Sequence, residues 1–496
     1  MITRGKTPHV EGQERSSLLT VAAQYLVMKE HYEQVITFRK DYEEAPSPDL
    51  GAALSLAYVM YGNQLLDRAK AATGEVADRL FTQAREMYEA ALEIKPDRHE
   101  ALHNWGNLLL DLAKSKTGPQ ADQLFAEAEK KYKEALAIKP DLREVLINWG
   151  NLLLDRAKAN IGDAADQLFT EAEAKYKAAL VIGPEMPDVL LNWGNLLLDR
   201  AKTKTGKEAR QLFTEAEAKY TAALEIKPDM HEAFYQWGNV LLDRAKASRG
   251  EEADRLFAAA AAKYEAALKI RPDMYIALNN WGSLFLDQGK TKSGRDAEEL
   301  FKQARDLYKA ALAIKPDMSE ALNNWGNLLL HWRKVKTGQE ADQLFAEAQE
   351  KFKSALKIKP DFFEALNNLG NLLLDQAKTK TGQEADQLFD QAEVKYRAVL
   401  DIGPNRHDVL NNWGNLLSDR ARKKAGAEAD QLFIAAEEKY DSALKIKPDF
   451  FEALDNWGNM LLDWGRTKAG AEADQLLSRA DDKLRAARAI MPGEAV

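Results

Sequence analysis

The stretch that decides the fold is PDRHEALHNWGNLLLDLAKSKTGPQADQLFAEAEKKYKEALAIKP, residues 96–140. Pro96 and Pro140 bracket a 44-residue unit, and the proline returns in step at Pro184, Pro228, Pro272, Pro316, Pro360, Pro404, Pro448 and Pro492. The Trp105-Gly106-Asn107 core returns at Trp149, Trp193, Trp237, Trp281, Trp325, Trp413 and Trp457, with Tyr61 and Leu369 filling the column in the first and eighth copies. A repeat of this length marks a stacked array in which each unit covers its neighbour, not a compact catalytic core.

Within the unit, two amphipathic helices are legible. Asp97 with Glu100 three residues on has the pattern of a capping box, and Leu102, Trp105, Leu108, Leu109 and Leu112 then fall on one helical stripe. Lys114 and Lys116 suit the negative end of the helix dipole. Gly118, present in all ten copies, breaks the chain. The second helix opens near Pro119 and carries Ala121, Leu124, Phe125, Ala128, Tyr132, Ala135 and Leu136 on its buried side. Neither helix buries its stripe alone.

Trp105, Gly106, Ala128, Tyr132, Ala135 and Pro140, in that order, resemble the markers of the tetratricopeptide repeat family. The unit here is ten residues longer than the family's 34. The resemblance implies an all-α fold, a right-handed α-solenoid or superhelix of stacked helix-turn-helix repeats, with first helices on the inner wall. The expected organisation is a tail at 1–15, a degenerate capping helix pair at 16–50, ten tandem repeats over 51–492 and a tail at 493–496. The last repeat, 449–492, is expected to cap the array, because Arg488 and Leu484 replace the leucine and aromatic columns of its second helix.

Composition narrows the function. The chain has 496 residues, 45% apolar and 30% charged, with a formal net charge of -9 spread over the copies, which argues against nucleic acid as partner. There is no cysteine, so thiol chemistry and thiolate metal sites are absent. No apolar run approaches the roughly 18 residues of a membrane span, and 1–15 lacks a secretory signal. The expectation is therefore a cytoplasmic protein without membrane contact, cofactor or metal, a monomer unless end-to-end stacking builds assemblies.

A polar stripe runs beside the core. Asn104, Asn107 and Asp111 share one face of the first helix. The asparagine before the tryptophan recurs at Asn148, Asn192, Asn280, Asn324, Asn368, Asn412 and Asn456. The one after the glycine recurs at Asn151, Asn195, Asn239, Asn327, Asn371, Asn415 and Asn459, with Ser283 departing. On the concave wall that the resemblance implies, such carboxamides could donate to and accept from the backbone of an extended peptide whatever its sequence. They resemble in this the asparagine ladder of O-linked N-acetylglucosamine transferases. The other reading is that they bond loops and neighbouring helices. The aspartate column containing Asp111 is followed three residues later by Lys or Arg in every copy, which favours pairing within the helix over capture of a basic partner.

Three copy-specific residues stand out as candidate partner contacts: His331 in place of the aspartate, Trp332 beside it, and Trp464 in the tenth copy. The run His99-Glu100-Ala101-Leu102-His103 reads literally as a zinc-peptidase helix, but sister copies carry Arg143-to-Ile147 and Ser319-to-Asn323 at the same positions. Glu100 is accounted for by capping and Leu102 by the core. The leading expectation is a non-enzymatic scaffold binding a protein or extended peptide in the groove. The alternative is a regulatory or sensor subunit of a larger bacterial signalling or defence complex.

Overall fold

The computed structural model describes residues 39–40, 42–44 and 46–490. The expected tails at 1–15 and 493–496, and all of the capping pair before residue 39, lie outside them. Residues 39–40 and 42–44 are helical. Among the described residues the chain is all-α and forms a solenoid of helix-turn-helix repeats, in two compact units that divide at Val240/Leu241 inside the helix His231–Ala247.

The N-terminal unit stacks the pairs Pro48–Ala71 with Gly74–Ile94, His99–Lys114 with Pro119–Ile138, Arg143–Lys158 with Gly162–Ile182, and Pro187–Lys202 with Gly206–Ile226. The C-terminal unit holds Gly250–Ile270 and then five pairs, from Tyr275–Lys290 with Gly294–Ile314 to Phe451–Arg466 with Gly470–Ile490. In each unit the backbones of neighbouring first helices approach closely, whereas among the described residues those of second helices do not and meet only by side-chain reach, as Arg479 does with Glu437. Each unit therefore bends with its first helices on the inside.

Two glycine columns do different work. Gly118 has φ 61°, and a side chain there would meet nothing within 4 Å; the residue is needed for the left-handed backbone. Gly106 is helical, and a Cβ there would lie 2.4 Å from the Tyr132 ring. That closeness seats Tyr132, Ala128 and Ala135 at full burial against the first helix. From His99 onward the second helices are longer than the first, 20 residues against 16 in this copy, so the extra length of the unit is not shared equally.

The capping expectation is corrected. Lys95-Pro96-Asp97-Arg98 is a β-turn closed by Arg98 N–H donating to the Lys95 carbonyl at 3.1 Å, and the helix starts only at His99 with no side-chain cap. Proline at the second position of a turn presets φ, so Asp97 is a turn residue. Side-chain capping is real at Ser47, whose Oγ accepts from Leu50 N–H at 3.2 Å.

The aspartate column pairs within its own helix as expected at Lys378 with Asp375, 3.7 Å, at Arg422 with Asp419, and at Arg466 with Asp463, 2.9 Å, and it also pairs across copies. Lys70 pairs with Asp111 at 2.9 Å, Lys114 with Asp155 at 3.1 Å, Lys158 with Asp199 at 2.8 Å and Lys378 with Asp419 at 3.1 Å. Each cation reaches the aspartate of the next copy, because stacked first helices bring those positions closer than the in-helix rotamer does. His331 interrupts this chain of ion pairs. With no carboxylate at 331, Lys290 turns to Asp287 of its own helix at 2.8 Å.

Candidate peptide-binding face

The asparagine columns sit on the inner, first-helix face of each unit, and the structure connects them to one another. In the N-terminal unit Asn104, Asn148 and Asn192 donate Nδ2–H to the Oδ1 of Asn63, Asn107 and Asn151 in the preceding copy, at 2.9, 2.9 and 3.3 Å. Those same acceptors receive the buried tyrosine hydroxyls: Tyr88 to Asn63 at 2.8 Å, Tyr132 to Asn107 at 2.8 Å, Tyr176 to Asn151 at 2.7 Å. Tyr220 likewise donates to Asn195 at 2.9 Å, and Asn239 donates to Gln236. Burial, followed by the nearby Asp111 carboxylate, pushes the Tyr132 hydroxyl far above its ordinary pKa, so it stays a donor.

The C-terminal unit uses a different acceptor. Asn324, Asn368, Asn412 and Asn456 donate to Asn279, Asn323, Asn367 and Asn411, at 3.0–3.2 Å. This third column lies two residues before the tryptophan, where the N-terminal unit carries His103, Ile147, Leu191 and Tyr235. Asn279 also donates to Asn280 at 3.2 Å. Asn371 and Asn415 therefore accept only from Tyr396 and Tyr440, both at 2.7 Å. Ser283, the departing position, meets the Tyr308 hydroxyl at 3.1 Å. Asn459 donates to Asp455. In the seventh copy Phe352 replaces the tyrosine, and among the described residues nothing hydrogen-bonds Asn327.

The three copy-specific candidates divide. Trp332 is 6% and Trp464 8% exposed. Trp332 packs on Phe301, while Trp464 stacks on Phe433 and donates Nε1–H to Asp430 at 2.8 Å. As surface contacts both are corrected: they fill the site between copies that Arg200 and Arg420 occupy elsewhere, each beside the aspartate 34 residues upstream. His331 is half-buried on the first-helix face, and burial first, then the Lys290 and Lys334 charges, hold it down to a pKa of about 4.

Of the literal metallopeptidase run, His103 Nε2 stands 2.9 Å from Asn148 Nδ2, and burial lowers its pKa. Since Asn148 supplies N–H, Nε2 is the acceptor of that pair. Among the described residues no cluster of His, Cys, Asp or Glu is arranged to hold a metal, and no helix is long and apolar enough to cross a membrane.

Sequence reading missed a lysine column that roofs the tryptophans. Lys131 lies 4.1 Å from the Trp105 ring centroid, Lys175 3.6 Å from Trp149, Lys219 3.6 Å from Trp193 and Lys483 3.6 Å from Trp457. Burial lowers the pKa of Lys175, Lys219 and Lys483, consistent with ammonium groups held over aromatic faces. The Lys-Tyr pairs in the second helices were the signal. The third asparagine column was equally visible as Asn-Asn-Trp, against His-Asn-Trp or Ile-Asn-Trp upstream.

Stacked helix pairs, paired glycine columns and an inner polar face together define a tetratricopeptide-type protein. The family described as plant-specific mitochondrial import receptor subunit TOM20 matches residues 77–151, 166–277 and 295–408, more than half of the chain, and the chain belongs to it. Each matched segment begins near the start of a second helix, so the likeness lies in the repeated unit. This match overturns the cytoplasmic expectation, since the family is described by mitochondrial import; lack of an apolar run and of cysteine is a compositional default and carries no address. No curated protein matches the chain. Similar solved structures include yeast Tom70, 15% identical over 97% of this chain and 98% of that one, TM-score 0.40. A tetratricopeptide repeat protein from Parabacteroides merdae is 15% identical over 63% of this chain and 98% of its own, TM-score 0.41. YrrB, described as a tetratricopeptide protein with an unusual peptide-binding site, is 18% identical over 48% of this chain and 97% of its own, TM-score 0.31. These likenesses concern fold alone.

Proposed function

We propose that this protein-interaction receptor or scaffold is non-enzymatic and holds an extended segment of a protein partner against its first-helix face. The description of its family makes a protein handled in mitochondrial import the partner class. One observation carries the reading. After the internal ladder is made, the Nδ2 groups of Asn371 and Asn415 and the Oδ1 groups of Asn412 and Asn456 have no protein partner among the described residues, and all four side chains stand on one face. Donors and acceptors alternating along a groove match a peptide backbone, which offers one N–H and one C=O per residue.

The test uses the whole chain and a random dodecapeptide phage library, with affinities of selected peptides read by fluorescence polarisation. Asn371→Ala with Asn415→Ala is expected to weaken binding about tenfold, the loss of one to two hydrogen bonds whose partners are left unpaired. Selected peptides that bind the double variant as tightly as the parent would remove the asparagine face from the mechanism.

A further inference from the structure

One position in the C-terminal unit breaks a column that every other copy keeps. Leu66, Leu110, Leu154, Leu198, Leu242, Leu286, Leu330, Leu374 and Leu462 precede the aspartate or its replacement; the ninth copy has Ser418. Its side chain is 2% exposed, and its Oγ has no hydrogen-bond partner. Of the six buried Ser and Asn side chains among the described residues, which include Ser55, Asn279 and Asn411, Ser418 alone lacks one. A buried hydroxyl left unpaired is costly, and leucine would fit the column.

Ser418 lines a polar pocket of about 350 Å³ on the first-helix face, between Asn371 and Asp375 on one side and Asn412, Asn415 and Arg422 on the other. Replacing the isopropyl end of leucine by a hydroxyl both opens room and leaves a group able to donate and accept. The charged rim is already matched. Lys378 meets Asp419 at 3.1 Å, Arg422 meets Asp463 at 2.7 Å, and Arg466 meets Asp463 at 2.9 Å. An ionic ligand group would have to break one of these pairs, whereas a neutral one need not.

We infer that the Ser418 pocket is a specificity subsite that accepts a short, uncharged, hydrogen-bonding side chain, that of Ser, Thr or Asn, from the extended segment bound along the asparagine face. This rests on the peptide-binding reading above. The free amides of Asn371 and Asn415 hold the backbone, and Ser418 Oγ completes its hydrogen bonding with the inserted side chain. A leucine in its place fills the room and offers no partner.

The same dodecapeptide library tests the subsite. The parent chain is expected to select peptides enriched in Ser, Thr or Asn at one fixed position. Ser418→Leu, a residue that all nine sister copies carry, should keep helicity and melting temperature while losing that enrichment and about tenfold in affinity for the selected peptides. Ser418→Ala, which keeps the room and removes the hydroxyl, should lose the enrichment as well. Enrichment and affinity unchanged in Ser418→Leu, or enrichment of charged or aromatic residues at that position in the parent, overturns the subsite while peptide binding stands. A parent chain that selects no peptide overturns the subsite and the peptide-binding reading together.

Discussion

In the N-terminal unit Asn192 reaches back 41 residues to Asn151; in the C-terminal unit Asn456 reaches back 45 residues to Asn411. The helices, glycines and tyrosines around the two pairs are the same. What differs is one side chain per copy, two places before the tryptophan. Where it is Val or Ile, as at Val59 and Ile147, the amide swings to the acceptor that the tyrosine already uses, and that oxygen is saturated by two donors. Where it is Asn, the amide takes the nearer buried acceptor and leaves the tyrosine's partner with an open lone pair. The C-terminal unit thus keeps more unspent hydrogen-bonding capacity on its inner face, and Ser418 adds to it.

If the scaffold is common and only the amide wiring differs, the largest effect should be equal in both units. Gly106→Ala and Gly370→Ala would place Cβ atoms 2.4 and 2.7 Å from the Tyr132 and Tyr396 rings. Each is expected to destabilise by about 1–3 kcal/mol through overpacking, read as a fall in urea midpoint and faster amide exchange in that copy. Gly118→Ala meets open space, and its cost is only the backbone, whose φ of 61° with ψ of -148° is a conformation kept essentially for glycine, about 1–3 kcal/mol. A packing variant with no measurable cost would show that the close tyrosine contact is not what the column preserves.

The wiring itself can be exchanged. Asn411→Leu removes the buried acceptor of Asn456, which sits at 3.1 Å, and gives that position the residue found at Leu191. If the amide stayed unpaired the cost would be about 1–3 kcal/mol. The expectation is about 1 kcal/mol or less, because Asn456 can turn to Asn415 as Asn192 turns to Asn151. A crystal structure of the variant decides it: Asn456 still pointing to position 411 would mean that stacking, not the side chain at 411, selects the acceptor.

How much of this was legible beforehand follows from what a repeat records. Spacing located both helices, the two glycine columns, the buried tyrosine and alanine positions and the face that carries the asparagines. It could not give the offset between copies, because neighbouring helices meet through stacking geometry that no periodicity within a copy encodes. Hence Asp111 was read with Lys114, whereas it pairs with Lys70. Trp332 and Trp464 looked like surface contacts for the same reason: their burial depends on the preceding copy's Phe301 and Phe433. Asp97 fits a capping box and a proline turn equally well as sequence, and the turn wins because its carbonyl is already in place at Lys95.

The seventh copy sharpens the contrast through pH. His331 stands where the other copies place an aspartate, and its pKa is held down to about 4, against the ordinary 6.5 of an unfolded chain. A group whose folded pKa is depressed contributes its stability above the unfolded value and loses it as pH falls toward the folded one. The C-terminal unit should therefore weaken between about pH 6.5 and 4, and His331→Gln should flatten that slope. An imidazole resonance titrating near 6.5 in the folded chain would contradict the burial and the lysine field that the structure places there.

The smallest effect should come from the ion pairs between copies. Lys158→Ala removes the 2.8 Å contact with Asp199, two side chains that are 48% and 25% exposed. Pairs this accessible are worth about 0.2–1 kcal/mol and fade with salt. The expected shift is a few tenths of a kcal/mol at low ionic strength, vanishing in molar salt, and His331→Asp, which gives Lys290 back an acceptor in the next copy, should gain a similar amount. Both changes act at the joint between neighbouring copies, so amide exchange should report them as altered opening of adjacent helix pairs, not as a change confined to one helix. A large, salt-independent loss from Lys158→Ala would mean that these cations carry packing through their stems, and the two units would then differ at the seventh copy in core contacts as well as in charge.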